Sequence, residues 1–425
     1  MLDVAALFLV VTALLAYVNH RFLRLPATIG VMAIALVISL GIVGLHAFGL
    51  DHGLDAFEKS LLRSIDFSDV LMQGMLSFLL FAGALHVDLG TLRQYRWQIA
   101  SLAIVGTCLS TAVVGVAMWG LLPWVGVPLP LIDCLLFGAL ISPTDPISVM
   151  GILKSIGAPR SLELVIAGES LFNDGVGVVL FSLLLGVAAT GVTPTLGEAG
   201  MMLLHEAGGG IAFGVVLGFL TFRLLKSIDQ YQVEVLMTLA AVMGGYALAT
   251  HLHVSGPLAM VVVGLMVGNG ARAEAMSDTT RRYVDMFWEL LDEILNAVLF
   301  VLIGMEVIVI AFSLPLLLAI LGTILVTVAA RLLTVGVPVR ILPRFFRLPS
   351  GSWRVMTWGG LRGGISVALA FSLAPGPARD TILTLTYGVV VFSVLVQGLT
   401  VGTVARAVCH EPADGALTPD TATPR

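Results

Sequence analysis

Charge is what this sequence has least of. Asp, Glu, Lys and Arg make up 12% of the 425 residues, about half the share of an average soluble chain. A soluble domain of this length needs a charged outer shell, and 22 basic and 27 acidic side chains are too few to cover one. Cysteine is scarcer still. Cys108, Cys134 and Cys409 share no metal-ligand spacing and outline no disulfide framework. The net charge is −5, with no block of basic residues and no glycine loop of the nucleotide-binding kind. These absences exclude a soluble enzyme, a disordered chain and a nucleic-acid binder, and no cofactor is called for.

What is present is apolar. Hydrophobic residues make up 58% of the chain and the mean hydropathy is +1.02. Apolar runs of about 20 residues, enough to cross a bilayer core of roughly 30 Å, recur from end to end. Thirteen such spans are read, at about 4–20, 27–45, 69–88, 98–122, 130–152, 163–188, 206–226, 231–251, 254–270, 284–311, 314–339, 353–373 and 379–405. Ten-residue alternation of apolar and polar residues is absent, so these are helices and not barrel strands. The expected fold is an all-α polytopic membrane protein of about 13 transmembrane helices. The first span follows Met1-Leu2-Asp3 with no basic segment and no small-residue cleavage site, so it reads as a membrane helix and not a signal peptide. Only His251-Leu252-His253 separates the eighth span from the ninth.

The basic residues test the count. Seventeen of the 22 follow odd-numbered spans, whereas Lys59, Arg63 and Arg379 follow even-numbered ones and Arg331 and Arg362 lie inside spans. The positive-inside rule then predicts an N-terminus outside and a C-terminus in the cytoplasm. The longest connection, about 46–68, is external and carries Asp51, Asp55, Glu58 and Asp66. Residues 1–409 read as one transmembrane domain, and the polar residues 410–425 as a short disordered cytoplasmic tail. Without an ATP-hydrolysing part, secondary transport or a channel is expected.

A charge near the bilayer midplane costs at least about 2.5–3.5 kcal/mol, which marks it as functional by default. In span five, Pro143 and Pro146 flank Thr144-Asp145. Two prolines three apart break a helix and free its carbonyls, and discontinuous helices are where transporters bind ions. Asp145 caps the second half of that helix, acts on the ion through water and dipoles, or does both. In span six, Ser170 and Asp174 are four apart and share a face, and Glu169 and Asn173 form a second such pair. A monovalent cation wants oxygen ligands, and Asp174, Ser170 and the Thr144 carbonyl offer that set. In span twelve, Gly359-Gly360 and Gly363-Gly364 bracket Arg362, whose buried guanidinium needs a partner. Glu169 is the best candidate, since Asp174 must stay free to bind ions. Arg331 in span eleven has no partner deducible from sequence. Spans five and twelve are seven apart, so two broken crossing helices in corresponding places predict inverted repeats of spans 1–6 and 8–13. Glu289, Asp292 and Glu293 near the start of span ten are read as a charged entrance or a salt-bridge network. Glu306 toward the other end marks an outer vestibule, and Asn296 reads as polar glue. The histidines sit mostly at span ends, where interfacial placement explains them.

At these residues the chain resembles the sodium/proton exchanger family of the monovalent cation:proton antiporter superfamily. The resemblance runs through SPTDPISVMGILKSIGAPRSLELVIAGESLFNDGVGVVLF (142–181), FWELLDEILNAVLFVLIGMEV (287–307) and WGGLRGGIS (358–366). It implies that Asp174 is the cation- and proton-binding aspartate. It makes Asn173 the neutral member of the Asn-Asp pair associated with electroneutral exchange. Ser170 and the Thr144 carbonyl become ion ligands, Asp145 the aspartate of the unwound helix, and Glu169 with Arg362 a structural ion pair. A homodimer is implied, each protomer with a mobile core bundle at about 98–188 and 314–405, the remaining helices forming a dimerisation scaffold, and with elevator-type movement. A prokaryotic plasma or inner membrane is the implied location. Some relatives carry a further carboxylate in the third span, where residues 76–89 here offer only Asp88. The expected function is therefore Na+/H+ exchange, with Li+ also accepted, in which cation and proton compete for Asp174. K+/H+ exchange on the same fold is the alternative. A channel lacks a visible filter loop. An intramembrane hydrolase lacks a histidine base beside Ser170.

Overall fold

The computed structural model describes residues 2–47, 75–191, 195–271, 276–306 and 313–409. Among them the regular structure is helical and no strand occurs. The helices follow the apolar stretches: α1 Leu2–Val18, α2 Ala27–Ala47, α3 Leu76–Leu85, α4 Arg96–Val125, α5 Leu131–Ile141, α6 Ile147–Ser155, α7 Arg160–Thr190 and α8 Gly200–Leu225. They continue with α9 Tyr231–His251, α10 Gly256–Met266, α11 Asp278–Glu306, α12 Leu314–Ile341, α13 Ser352–Trp358, α14 Gly364–Phe371 and α15 Pro377–Val408. Among the described residues seven helices are long and apolar enough to cross a membrane, and four shorter apolar ones accompany them. The acidic connection at 46–68 and the tail at 410–425 fall almost wholly outside the described residues.

Local chemistry sets the helix ends. Pro159 precedes the first residue of α7, and Gly191 closes it in the left-handed region at φ 66° with its N–H on the Val187 carbonyl. The short connection between α9 and α10 is a true turn. His253 takes φ 54°, and the N–H of Val254 reaches back to the Ala249 carbonyl at 3.1 Å. Ser255 then caps α10 by accepting from the Leu258 N–H.

The packing repeats itself. α2 lies along α11, and α10 lies along α3. Counted as spans, these are two with ten and nine with three, the same contact under an offset of seven. Likewise α1 touches α11 as α9 touches α3. Both close pairs rest on glycine. A Cβ on Gly304 of α11 would meet the Ala35 Cβ at 2.6 Å, and one on Gly264 of α10 would meet the Ala84 Cβ at 2.7 Å. The interior is apolar, with Trp288, Phe81, Phe137 and Phe300 fully buried. The Trp288 indole lies 4.5 Å from the Phe81 ring and donates to Thr238 Oγ1 at 3.0 Å. The outside is apolar too: Leu14, Val37, Trp97, Val105, Met243 and Leu325 are exposed. That inversion of the usual soluble pattern gives lipid a surface to solvate.

Both predicted breaks are present. α5 stops at Ile141 and α6 begins at Ile147, with Ser142–Pro146 non-helical between them. α13 stops at Trp358 and α14 begins at Gly364. The two breaks touch, because the Asp145 N–H donates to the Leu361 carbonyl at 2.8 Å.

Candidate ion-binding site

Two prolines break span five, and the carbonyls at the break, past the end of α5, need partners. Arg362 supplies them. Its Nη1 donates to the Pro143 carbonyl at 2.9 Å and also to the Ser142 carbonyl. The guanidinium thus sits on the carbonyl end of α5, where a helix end is partly negative. Its own N–H donates to Ser393 Oγ at 2.8 Å, and Ser393 Oγ donates to Gln397 Oε1 at 2.8 Å. Gln397 Nε2 reaches back to the Trp358 carbonyl at 3.2 Å. Ser393–Gln397 is a π-helical turn within α15, a distortion that turns its side chains to the second break.

The predicted pairing of Glu169 with Arg362 is corrected here. Glu169 belongs to Arg331, which donates from Nη1 to Oε1 at 2.5 Å and from Nη2 to Oε2 at 2.8 Å. This two-pronged bond is the strong arrangement for a guanidinium and a carboxylate. Arg331 Nε donates to the Met356 carbonyl at 3.2 Å, which holds the fork toward α7. The physical reason is competition. The freed carbonyls of α5 take up Arg362, so the buried carboxylate needs the other guanidinium. No periodicity in the sequence reports on that choice, and the only signal was a charge at depth in span eleven.

The other predicted residues converge. Thr144, Ser170 and Asn173 are buried, as is Glu169. Thr144 Oγ1 and Ser170 Oγ are 3.0 Å apart and share a hydrogen bond. Asn173 Nδ2 donates to Thr144 Oγ1 at 2.9 Å, and Asn173 Oδ1 accepts from the Thr144 N–H at 3.3 Å. The amide thereby ties α7 to the first break, and it also lies 3.4 Å from Glu169 Oε1. Asp174 is 7% exposed and has no hydrogen-bond or ion-pair partner among the described residues. Asp145 and Glu169 are close enough to act on it electrostatically. A buried carboxylate left without donors wants a proton or a cation.

Other expectations resolve differently. Asp88 accepts from the Gly90 N–H at 3.0 Å and so serves the turn after α3. Asn296 turns to its own helix and donates to the Asp292 carbonyl at 2.9 Å and to Asp292 Oδ1 at 3.2 Å. Glu289, Asp292 and Glu293 pair with no basic side chain among the described residues, so of the two readings the salt-bridge network is not formed there. Glu306 ends α11, and its side chain lies outside the described residues.

Residues 10–407 match the family model for the transmembrane part of sodium/hydrogen exchangers. The chain is 54% identical over 415 residues to the Na+/H+ antiporter NhaP of Pseudomonas aeruginosa, covering 96% of this chain and 97% of that one. It is 35% identical over 387 residues to the Na+/H+ antiporter NhaH of Halobacillus dabanensis, covering 89% of this chain and 91% of the relative. Its fold is that of the sodium proton antiporter MjNhaP1 of Methanocaldococcus jannaschii, with a TM-score of 0.74 at 20% identity over 96% of this chain and 98% of that one. By the match of the family model to nearly its whole length and by its identity to these relatives, the chain belongs to the sodium/hydrogen exchanger family.

Proposed function

We propose that the protein exchanges Na+ for H+ across a prokaryotic cell membrane, with Asp174 binding one or the other. The observation that carries the reading is Asp174 itself, buried on α7 without a hydrogen-bond or ion-pair partner among the described residues, one helical turn from Ser170, whose hydroxyl meets that of Thr144. Burial makes the bare charge costly, so the carboxylate is neutralised by a proton or by a cation, and one site holding either in turn couples the two fluxes. Relatives named as Na+/H+ antiporters support sodium as the cation. Ser170 and the Thr144 carbonyl complete the ligand set, Asp145 acts through water, and Asn173 holds Thr144 in place.

Exchange is electroneutral, one cation for one proton. With Asn173 beside it neutral, Asp174 carries the one site charge that changes hands. A single Na+ or a single H+ cancels it. The broken helices and α4, α7, α12 and α15 form a core that moves as an elevator against a scaffold of the remaining helices, through which two copies pair. Thirteen crossings put the N-terminus outside and the C-terminus in the cytoplasm.

Reconstitution tests the reading. Under an imposed pH gradient, adding Na+ or Li+ dissipates the gradient in wild-type proteoliposomes, and Asp174→Asn abolishes the response. Exchange persisting in Asp174→Asn removes Asp174 from its role. A response to K+ that exceeds the response to Na+ favours the potassium reading of the same fold.

A further inference from the structure

α11 starts with a polar face that the exchange mechanism leaves unused. Glu289, Asp292, Asn296 and Leu299 follow at intervals of three, four and three residues, and Glu293 lies four after Glu289 and three before Asn296, so the five form one stripe. The far end of this stripe docks on the second break. The Leu299 side chain occupies the space where a Cβ on Gly364 would stand. The residue before it, Gly363, lies against Asp145, since its Cβ would meet the Asp145 Cβ at 2.7 Å and Oδ2 at 2.8 Å. The stripe is thus turned toward the crossing of the two breaks. Along it the carboxylates pass from exposed Glu289 and Glu293 to half-buried Asp292.

Asp292 has company of its own sign. Asp145 is close enough to repel it, as are Glu293 and Glu289. No basic side chain meets it among the described residues. Buried Asn296 fixes it by donating to Oδ1 at 3.2 Å. A staple within one helix needs no charge, and a neutral residue at 292 would spare the helix the repulsion. A carboxylate held by an amide, facing another carboxylate and short of counter-charge, suits a transient cation or proton.

We propose that Asp292 is the attracting carboxylate on the entry path to Asp174, drawing the cation and the competing proton from the side on which α11 begins and passing them to Asp145 and Asp174. This rests on the exchange reading above and adds a positioning residue to it. The groups that face Asp292 are Asp145 at the first break and Glu289 and Glu293 on its own helix. They are all acidic, so removing one negative charge weakens attraction for both substrates. By the topology above, the side concerned is the cytoplasmic one.

Side-resolved kinetics test this in everted and right-side-out vesicles of the full-length protein. Asp292→Asn, which keeps the shape and the bond to Asn296, is expected to raise the KM for Na+ roughly threefold to tenfold on the α11-entry face only. Maximal rate should change less than KM, and the activity profile should move toward acid pH. Asp292→Glu restores both. Glu289→Gln gives a smaller effect that vanishes at high ionic strength. An unchanged KM and pH profile in Asp292→Asn overturns the proposal, as does a loss of maximal rate that Asp292→Glu fails to rescue. Wild-type vesicles that do not exchange Na+ for H+ at all overturn instead the functional reading beneath it.

Discussion

Replacing Arg331 by Gln separates the two arginines most sharply. Glu169 is 1% exposed, and Arg331 meets both of its carboxylate oxygens, at 2.5 and 2.8 Å. Without the guanidinium, Glu169 keeps one weak hydrogen bond among the described residues, from Asn173 Nδ2 at 3.4 Å. Removing one partner of a buried ion pair costs about 3–5 kcal/mol, because the other charge stays buried and uncompensated. Glu169→Gln removes the charge from the other side and strands Arg331, which costs a similar amount. The double variant leaves no charge stranded and should lose well under the sum of the two, giving a coupling of about 2 kcal/mol or more. Arg362→Gln is costly for a separate reason. It strips the charge-assisted bonds from the carbonyls of Ser142 and Pro143, each worth about 1.5–3 kcal/mol, and its coupling to Glu169→Gln should be smaller than that of Arg331, because Glu169 acts on Arg362 without a direct bond among the described residues. Denaturation of the four proteins in one detergent, with Arg362→Gln alone and combined with Glu169→Gln, measures both cycles. A large coupling of Glu169 to Arg362 and none to Arg331 would refute the assignment.

Two further substitutions probe the site. Gly363→Ala places a methyl 2.7 Å from the Asp145 Cβ; such overpacking costs roughly 1–3 kcal/mol, and it is expected to lower the exchange rate in proteoliposomes while Asp174 is intact. Asn173→Asp removes the amide that donates to Thr144 Oγ1 at 2.9 Å and adds a carboxylate beside Asp174; flux driven by a potassium diffusion potential should appear in this variant and be absent from the wild type, and potential-driven flux in the wild type would contradict electroneutral exchange.

The sequence shows the fold through scarcity. With so little charge, each basic residue becomes a marker of sidedness, and each charge at depth becomes conspicuous. The paired prolines at 143 and 146 and the glycine pairs around Arg362 predict both breaks, and both are present. Spacing on α7 predicts which side chains share its faces, since the helical period is fixed. Partner choice across helices was not legible. Arg331 and Arg362 are both buried arginines, and what separates them is a demand that exists only after folding: the loose carbonyls of Ser142 and Pro143. Ser393 and Gln397 were missed because a π-helical turn in α15 carries them to the Arg362 backbone, and a pattern of apolar residues gives no hint of such a turn.

The geometry also explains why residue 173 is an amide. Asn173 donates to Thr144 Oγ1 and accepts from the Thr144 N–H at the same time, so it matches both a donor and an acceptor on the first break. An aspartate can accept from that N–H but cannot donate to the hydroxyl unless it is protonated. The amide therefore fixes the break whatever the pH. Arg331 occupies both oxygens of Glu169. Arg362 is directed elsewhere, with its Nη1 donating to the carbonyls of α5. Glu169 and Arg362 are thus each held by partners within the protein, and on the reading proposed above Asp174 is the carboxylate left for the exchangeable charge. On that reading the site carries one cation one way or one proton the other, and flux driven by membrane potential alone in the wild type would contradict it.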